Sequence, residues 1–490
     1  MTDSPGPSLA ADPPGPSLAA ELPGLDLIVD PDVLESLSRD DAEWAPAGRP
    51  VGAIRARSTA EVSAIVAACA ARGIPVVPRG AGTGQSGGAN AVDGGLILDL
   101  SRMNKILEVD PDNMIAVVQP GVVNDDLKAA VAEHGLWYPP DPASSPWSTI
   151  GGNVATNASG LCCLKYGVTR DYVLGLRAVV GGPAGAYGTA VRLGHRTTKG
   201  VAGYDLVSLF VGSEGTLGVV TEVTLRLRPA RAAAPRTVVG AFDTIVAAGE
   251  AVAATTRLGL LPTALELLDR TCLRAVEEWK HLGLSATAAA LLLAQIDTPG
   301  ESGQAEAAAL AQVFRDAGAQ WAEQSTDEFE AEALFAARRL AYPAIERLGP
   351  VLTEDVCVPR SAVPAMLSAI EEIAARHGAA IATIAHAGDG NLHPMIRTPV
   401  GDDAAREAAQ EAFEEILAEA IALDGTVTGE HGVGLLKRRG MRQELAPPAL
   451  AMMQAVKQTL DPRNLFNPGK VTGDPDQPAG LAASDDQPQG

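Results

Sequence analysis

Basic residues are scarce in this chain. Its 490 residues hold 38 Lys and Arg against 60 Asp and Glu, a net charge of −22, which argues against binding nucleic acid or an anionic membrane through bulk electrostatics. A local basic cluster, Lys437-Arg438-Arg439, reads as a solvated helix face, with docking of an electron carrier as the alternative. Cysteine is nearly absent as well. The five present (Cys69, Cys162, Cys163, Cys272 and Cys357) are odd in number and lack metal-finger spacing. A disulfide between the adjacent Cys162 and Cys163 would be strained, so free thiols in a reducing compartment are expected. Long apolar runs are missing too. The N-terminus has neither a basic leader nor an apolar core, so neither a signal peptide nor a transmembrane segment is expected. The expectation is a cytoplasmic protein, peripheral to a membrane at most through a partner.

With 46% hydrophobic and 20% charged residues, the rest of the composition is that of a soluble globular protein. The length exceeds one ordinary core, so two or three packed units are expected. Residues 1–30 read as a disordered tail: Pro5-Gly6-Pro7-Ser8-Leu9-Ala10-Ala11 repeats as Pro14 to Ala20, too rich in proline, glycine and small residues to bury a core. Residues 473–490 have the same character.

Glycine, in contrast, is concentrated. Val76-Val77-Pro78-Arg79 leads into Gly80-Ala81-Gly82-Thr83-Gly84-Gln85-Ser86-Gly87-Gly88, with five glycines in nine residues. Successive N–H groups in such a loop can form a concave anion site suited to a dinucleotide pyrophosphate. The spacing Gly82-x-Gly84-x-x-Gly87 fits a Rossmann loop, but that motif must open a helix. Here Leu96-Ile97-Leu98-Asp99-Leu100 follows and reads as a strand, while the helical pattern precedes the loop at Thr59 to Arg72, with Val62, Ile65, Val66, Cys69 and Ala70 on one face. The order helix, strand, glycine loop, strand argues against NAD. Two further small-residue segments follow, Thr149 to Gly160 after the proline-stiffened Tyr138-Pro139-Pro140-Asp141-Pro142, and Gly212 to Gly218.

These segments, in this order, resemble the flavin-binding half of the vanillyl-alcohol-oxidase-like FAD enzymes. Residues 45–470 resemble, more closely, the D-2-hydroxyacid dehydrogenases related to glycolate oxidase and D-lactate dehydrogenase. The resemblance implies an α+β protein. A PCMH-type FAD-binding domain would span 31–230 and an α+β cap 231–425. A C-terminal FAD-linked oxidase segment, 426–472, would return to the flavin domain. The cap reading agrees with the alanine-rich helical stretches Thr244–Leu258, Glu301–Ala317, Val363–His377 and Asp402–Leu423, which alternate with strands such as Ala288–Ile296 and Ala379–Ala385. The flavin contacts implied are Pro78, Arg79, Gly80, Ala81, Gly82, Thr83, Gly84, Gly87, Pro140, Thr149, Gly151, Gly152, Asn157, Gly160, Glu214, Gly218, Val220 and Asn467. The last can equally be a turn residue in Asn464-Leu465-Phe466-Asn467-Pro468-Gly469. Many flavin enzymes of this kind tether FAD through a histidine in the first loop, which here has none. Cysteine is the other usual tether, leaving Cys162 or Cys163 open, and non-covalent FAD is the expectation.

Four of the seven histidines have plain explanations: His134, His195, His281 and His377 lie at helix ends or in polar surroundings. The others occupy two compact motifs. In His386-Ala387-Gly388-Asp389-Gly390-Asn391-Leu392-His393 the centre signals a hairpin. Its flanking side chains can face one another at roughly 5 Å, aiming two imidazoles at one ion or merely lining a rim. In Gly425 to Gly434, Glu430 precedes His431; on an extended backbone these would point to opposite sides. Two imidazoles and a carboxylate with one open position suit zinc and other divalent ions. The resemblance implies that His386, His393 and Glu430 hold a metal, zinc or manganese, and that His431 is the catalytic base. It further implies that Arg338 and Asn391 bind the substrate, although chemistry alone does not separate Arg338 from Arg339.

The reaction implied is oxidation of a small D-2-hydroxy acid, D-lactate or glycolate, by hydride transfer to flavin N5. Thr353 stands where relatives acting on D-2-hydroxyglutarate carry a lysine, favouring one carboxylate. The acceptor is left open among a quinone, an electron-transfer flavoprotein, a cytochrome and an iron–sulfur subunit. The competing readings are an oxygen-using FAD oxidase of another alcohol and a flavin-binding subunit without turnover. The first consequence is simple to check. The purified chain should be yellow, and a spectrum without flavin bands overturns every reading above.

Overall fold

A computed structural model describes residues 18, 22 and 24–473, apart from 183–185, 233, 283–287 and 326–327; of 328–334 only the backbone is described. The expected tails therefore lie mostly outside the described residues. Ordered chain nevertheless begins before Pro31. Leu27 and Ile28 pair with Ile54 and Ala53, and Leu18 and Leu22 are buried beside the helix Thr59–Arg72. Apolar side chains among the small residues made this possible.

A first sheet has the spatial order Leu27–Ile28, Gly52–Arg55, Leu96–Asp99, Val76–Arg79. Its last three strands are parallel, which requires a crossover, and the helix Thr59–Arg72 supplies one. Ser58 caps that helix through the Glu61 N–H, Gly73 ends it at φ 67°, and the expected stripe of Val62, Ile65, Val66, Cys69 and Ala70 is buried. The next sheet is antiparallel, ordered Ile106–Asp110, Ile115–Val118, Val219–Arg226, Val173–Val180, Thr189–Gly194. Between the two sheets, the small-residue segment Thr149 to Gly160 contains a helix that its sequence does not announce. Thr149 accepts from the Gly152 N–H and starts a helix, Ile150–Thr156, which Asn157 closes at φ 57°. Glycine suppresses the apolar periodicity by which a helix is normally read.

The second half is an eight-stranded antiparallel sheet. Its order runs Ala319–Gln324, Arg236–Phe242, Ala290–Ile296, Ala264–Asp269, Ala380–His386, Asn391–Arg397, Val351–Thr353, with Val356–Cys357 also on the penultimate strand. Helices Ile245–Arg257, Gly300–Asp316, Val363–His377 and Asp403–Ala422 contribute to one apolar cluster against it. On the last of these, Ala409, Phe413, Ile416 and Leu417 are buried and Ile421 is partly so. Among the described residues no helix is long and apolar enough to cross a membrane, and all five cysteines are free.

The chain finally returns to the first sheet. Phe466 bridges Val76 in parallel, the Val76 N–H donates to Leu465 O at 2.8 Å, and the Asn467 N–H donates to Val76 O at 2.8 Å. Asp461 locks this return. One oxygen accepts from the Tyr187 hydroxyl at 2.5 Å and the Leu465 N–H at 2.9 Å; the other accepts from Lys457 Nζ at 2.5 Å and the Phe466 N–H at 2.8 Å. Removing one member of such a buried charged set typically costs about 3–5 kcal/mol. Asp461→Ala is therefore expected to lower unfolding free energy by about 3 kcal/mol, read as the shift in urea midpoint. A shift equivalent to less than about 1 kcal/mol would show the return segment to be held by other contacts.

Candidate active site

The strand Val76–Arg79 delivers the chain into the glycine loop. A Cβ at Gly80 would lie 2.3 Å from Thr149 Oγ1, so only glycine lets the loop rest on the start of the helix Ile150–Thr156. Gly82 has φ 85°, and a Cβ there would strike the Arg79 guanidinium folded beneath it. Arg79 is buried, and its Nη1 is an orphaned donor. A buried cation with an unsatisfied N–H below a glycine-rich loop fits an anionic ligand such as a pyrophosphate.

Beside this loop opens a cavity of about 860 Å³, a size suited to a large ligand. Of the expected flavin contacts, Pro78, Arg79, Gly80, Ala81, Gly82, Thr83, Gly84, Thr149, Gly151, Gly152, Glu214, Gly218 and Val220 line it. Arg338, Arg339, His386, His393, Glu430 and His431 line the same cavity. Gly87, Pro140, Asn157, Gly160, Asn391 and Asn467 do not form its wall. Asn467 donates through Nδ2 to Gly88 O and Glu214 O, both at 2.7 Å. Asn157 accepts the Arg170 N–H at 2.8 Å. Gly160 passes so close to the Asp141 carbonyl that no side chain fits. Asn391 faces His386 across the hairpin, with its side chain against Gly429. Neither Cys162 nor Cys163 reaches the cavity, and Cys162 is engaged by Asp141 and Arg231.

Glu214 holds φ 49° and spends both carboxylate oxygens on backbone, accepting from the Val433 N–H at 2.7 Å and the Gly434 N–H at 2.9 Å. It thereby ties the loop after Phe210 to the stretch that carries Glu430 and His431. Burial pushes its carboxyl up to about 7, opposed by those two N–H donors.

The hairpin Ala380–His386 and Asn391–Arg397 forms as expected. Its register sets Ile384 opposite His393 and His386 opposite Asn391, placing the two histidines diagonally on one face with ring centroids 5.2 Å apart. Their Nε2 atoms lie 3.4 and 3.3 Å from Glu430 Oε1, and His431 Nε2 lies 3.8 Å from the same oxygen. Glu430 and His431 thus point to the same side, against the expectation of opposite sides. The alternation rule fails because Gly425 to Gly434 is bent, not extended. Asp355 Oδ2 gathers the Glu430 N–H at 3.0 Å, the His431 N–H at 2.8 Å and the Thr428 hydroxyl at 2.7 Å, turning both side chains into the cavity. His431 then stacks on His393 at 5.0 Å.

A second layer positions these groups. Ser159 Oγ donates to Glu430 Oε2 at 2.5 Å. His386 Nδ1 lies 2.9 and 3.0 Å from the two oxygens of Glu266, and Arg338 Nε donates to Glu266 Oε2 at 2.9 Å. Asp355 Oδ1 is 3.7 Å from His393 Nδ1. Lys437 is fully buried, 3.4 Å from Glu354 and 3.6 Å from Asp355. This corrects the solvated-face reading of Lys437-Arg438-Arg439; of the three, Arg439 has that exposure. Two adjacent buried carboxylates need an internal cation, and the register of the preceding turn points Lys437 inward. Sequence reasoning missed Glu266, Glu354, Asp355, Ser159 and Lys437 as parts of the site. Glu266 had one visible signal, a lone carboxylate within the apolar run Ala264-Leu265-Glu266-Leu267-Leu268.

The donor set fits a divalent ion. Ligand atoms of Asp355, His393, Glu430 and His431 lie within 4.8 Å of one another, a group that includes Asp355 and omits His386. Asp355 Oδ2 already accepts from three donors, whereas its Oδ1 has no hydrogen-bond partner; His386 Nε2, outside that group, lies 3.4 Å from the Glu430 oxygen that His393 and His431 also approach. Burial resists ionisation of Glu430, but the His386 and His393 imidazoles outweigh it and hold its carboxyl well below the usual carboxylate range. Burial likewise lowers His386, yet Glu266 and Glu430 raise it well above an ordinary histidine; such a proton is one a metal ion displaces. Burial brings His431 down to about 4, against the pull of Asp355, so at neutral pH it is an unprotonated base.

Known proteins resemble the chain over most of its length. Residues 231–471 match the family described as FAD linked oxidases, C-terminal domain, and residues 50–186 match the FAD binding domain. The chain is 43% identical over 423 residues to the glycolate oxidase subunit GlcD of Bacillus subtilis (strain 168), covering 86% of this chain and 89% of that one. It is 34% identical over 462 residues to D-lactate dehydrogenase of Anaerostipes hadrus, covering 91% and 94%. Among solved structures, p-cresol methylhydroxylase with substrate bound matches with a TM-score of 0.77 at 18% identity, over 93% of this chain and 96% of that one, a likeness of fold.

Glu214 makes the site's linkage to pH measurable. Its folded-state pKa of about 7 lies above the ordinary 4.5, so the fold binds this proton more tightly than the unfolded chain does. Its contribution therefore favours low pH, and stability is lost as pH rises from about 4.5 to 7, by roughly 3 kcal/mol at most. In the flavin-free protein, Glu214→Gln should flatten the fall of Tm across that window. An unchanged profile would show that Glu214 is ionised throughout.

Proposed function

The chain belongs to the FAD-linked D-2-hydroxyacid dehydrogenase family, and from that premise we propose that it oxidises a small D-2-hydroxy acid, D-lactate or glycolate, to the 2-oxo acid with help from a divalent metal. One observation carries this reading. The Nε2 atoms of His386, His393 and His431 converge on one Glu430 oxygen, on the wall of the cavity that also meets the glycine loop.

When bound, FAD, held without a covalent tether, accepts the hydride, and the divalent ion, zinc or manganese, supplies Lewis acidity. His386, His393 and Glu430 would hold the ion. Arg338, buried on the cavity wall, pairs with the substrate carboxylate, for which a guanidinium is the geometrically matched partner. The oxidation removes a proton from the substrate hydroxyl and a hydride from Cα. His431 takes that proton at Nε2, since burial keeps the ring neutral and its other nitrogen, Nδ1, is enclosed without a hydrogen-bond partner. Thr353, on the same wall, presents a hydroxyl where relatives acting on a dicarboxylate are expected to carry a lysine, which favours a monocarboxylic acid.

Anaerobic mixing with D-lactate or glycolate should bleach the flavin. Bleaching by L-lactate and not D-lactate would overturn the stereochemistry. His393→Ala is expected to stay yellow while losing the ion and turnover; full activity without bound ion would overturn the metal. His431→Ala should retain both flavin and ion and lose about 10²–10⁴-fold in the rate of flavin reduction.

A further inference from the structure

Glu266 touches both halves of the proposed chemistry. It lies in the strand Ala264–Asp269, every residue of which is buried, and is itself 1% exposed. That strand pairs with Ala380–His386 through Leu267 opposite Ala385, and one further step along the register brings Glu266 beside His386. Its oxygens lie 2.9 and 3.0 Å from His386 Nδ1, and Oε2 also accepts from Arg338 Nε at 2.9 Å. Backbone pairing, not a flexible arm, fixes this three-way contact.

We propose that Glu266 is a positioning residue that sets the tautomer of His386 and the aim of Arg338 together, an inference that rests on the function proposed above. A carboxylate has no proton to give, so the hydrogen between it and His386 must sit on Nδ1. In the neutral ring Nε2 is then the nitrogen with a free lone pair, and it points at Glu430 Oε1 from 3.4 Å. Either the proton that the two carboxylates hold on this ring or the metal ion that displaces it lies between these two atoms, and a carboxylate behind the ring is the arrangement that orients a metal-binding histidine. The same carboxylate holds the Arg338 guanidinium by Nε, which leaves the rest of the fork to be directed along the cavity wall. Ion and substrate carboxylate are thereby held in one register: a shift in one partner of Glu266 is felt by the other.

Glu266→Gln keeps the shape and changes the chemistry. In either amide orientation an NH2 group and a neutral carbonyl oxygen share the place of the carboxylate beside Nδ1, so the variant loses the strong preference for a proton on Nδ1 and admits the tautomer protonated on Nε2, which cannot bind a metal. The test uses the full-length, FAD-loaded protein, with zinc and manganese binding measured directly, the visible spectrum recorded on titration with cobalt(II), and KM and kcat followed for D-lactate. We expect E266Q to keep its flavin spectrum, to bind these ions about 10- to 100-fold more weakly, and to show a raised KM even at saturating metal because Arg338 has lost its charged partner. Metal affinity and KM within twofold of the native protein would overturn the proposal. Should E266Q fail to retain flavin, the same measurements on E266D decide, since the shorter carboxylate withdraws from both partners while keeping its charge. A native chain that binds none of these ions overturns the functional reading and this inference with it. A native chain that binds them while the variant binds equally well overturns this inference alone.

Discussion

A charge removed from water must meet its opposite inside the protein, and the catalytic half of this molecule is arranged around that requirement. Arg338 meets Glu266, Glu266 meets His386, His386 meets Glu430, and Glu430 meets Ser159. On the other side His393 faces Asp355, and Asp355 with Glu354 faces Lys437. No element supplies two consecutive members of the first chain. The helix Glu328–Glu346, the strand Ala264–Asp269, the hairpin and the bent stretch around Glu430 each contribute one. The architecture is what permits the burial, and the burial is what gives the imidazoles their chemistry. His431 remains neutral because it is enclosed, and Glu430 remains ionised because two imidazoles face it.

The glycine-rich half solves a different problem, the close approach of backbone to backbone. Gly80 resting on Thr149 and Gly82 lying over Arg79 leave no room for a Cβ, so the loop floor and the start of the helix Ile150–Thr156 become one surface. Glu214 adds a strut from this half to Val433 and Gly434. Asn467 and Lys470 brace the loop from the returning C-terminal segment. Several residues expected to touch a cofactor, Asn157, Gly160 and Asn467 among them, make contacts of this scaffolding kind.

Much of this was legible in the sequence, for reasons that can be named. The helix Thr59–Arg72 carries its cap, its stripe and its terminal glycine in plain order. The hairpin is announced by Gly388-Asp389-Gly390, and the helices beside the large sheet have repeating apolar faces. The helix Ile150–Thr156 was hidden because glycine and small residues erase periodicity. Lys437 was misjudged because two arginines follow it, and a run of basic residues normally means water. Glu266 and Asp355 were invisible as parts of the site because their meaning lies in partners far away in sequence: Glu266 is 120 residues from His386, and Asp355 is 76 from His431. Local pattern yields elements, and pairing across such distances comes only with the fold.

Ser159 and Glu214 both belong to the flavin-side half, yet they grip the stretch that bears Glu430 and His431. Neither half owns the reaction. The two halves of this chain are not interchangeable parts, because a hybrid inherits these contacts only when the incoming half supplies the hydroxyl and the strut that the other expects. Variation across this seam is therefore constrained in pairs, and a change on either bank of it calls for an answering change on the opposite one.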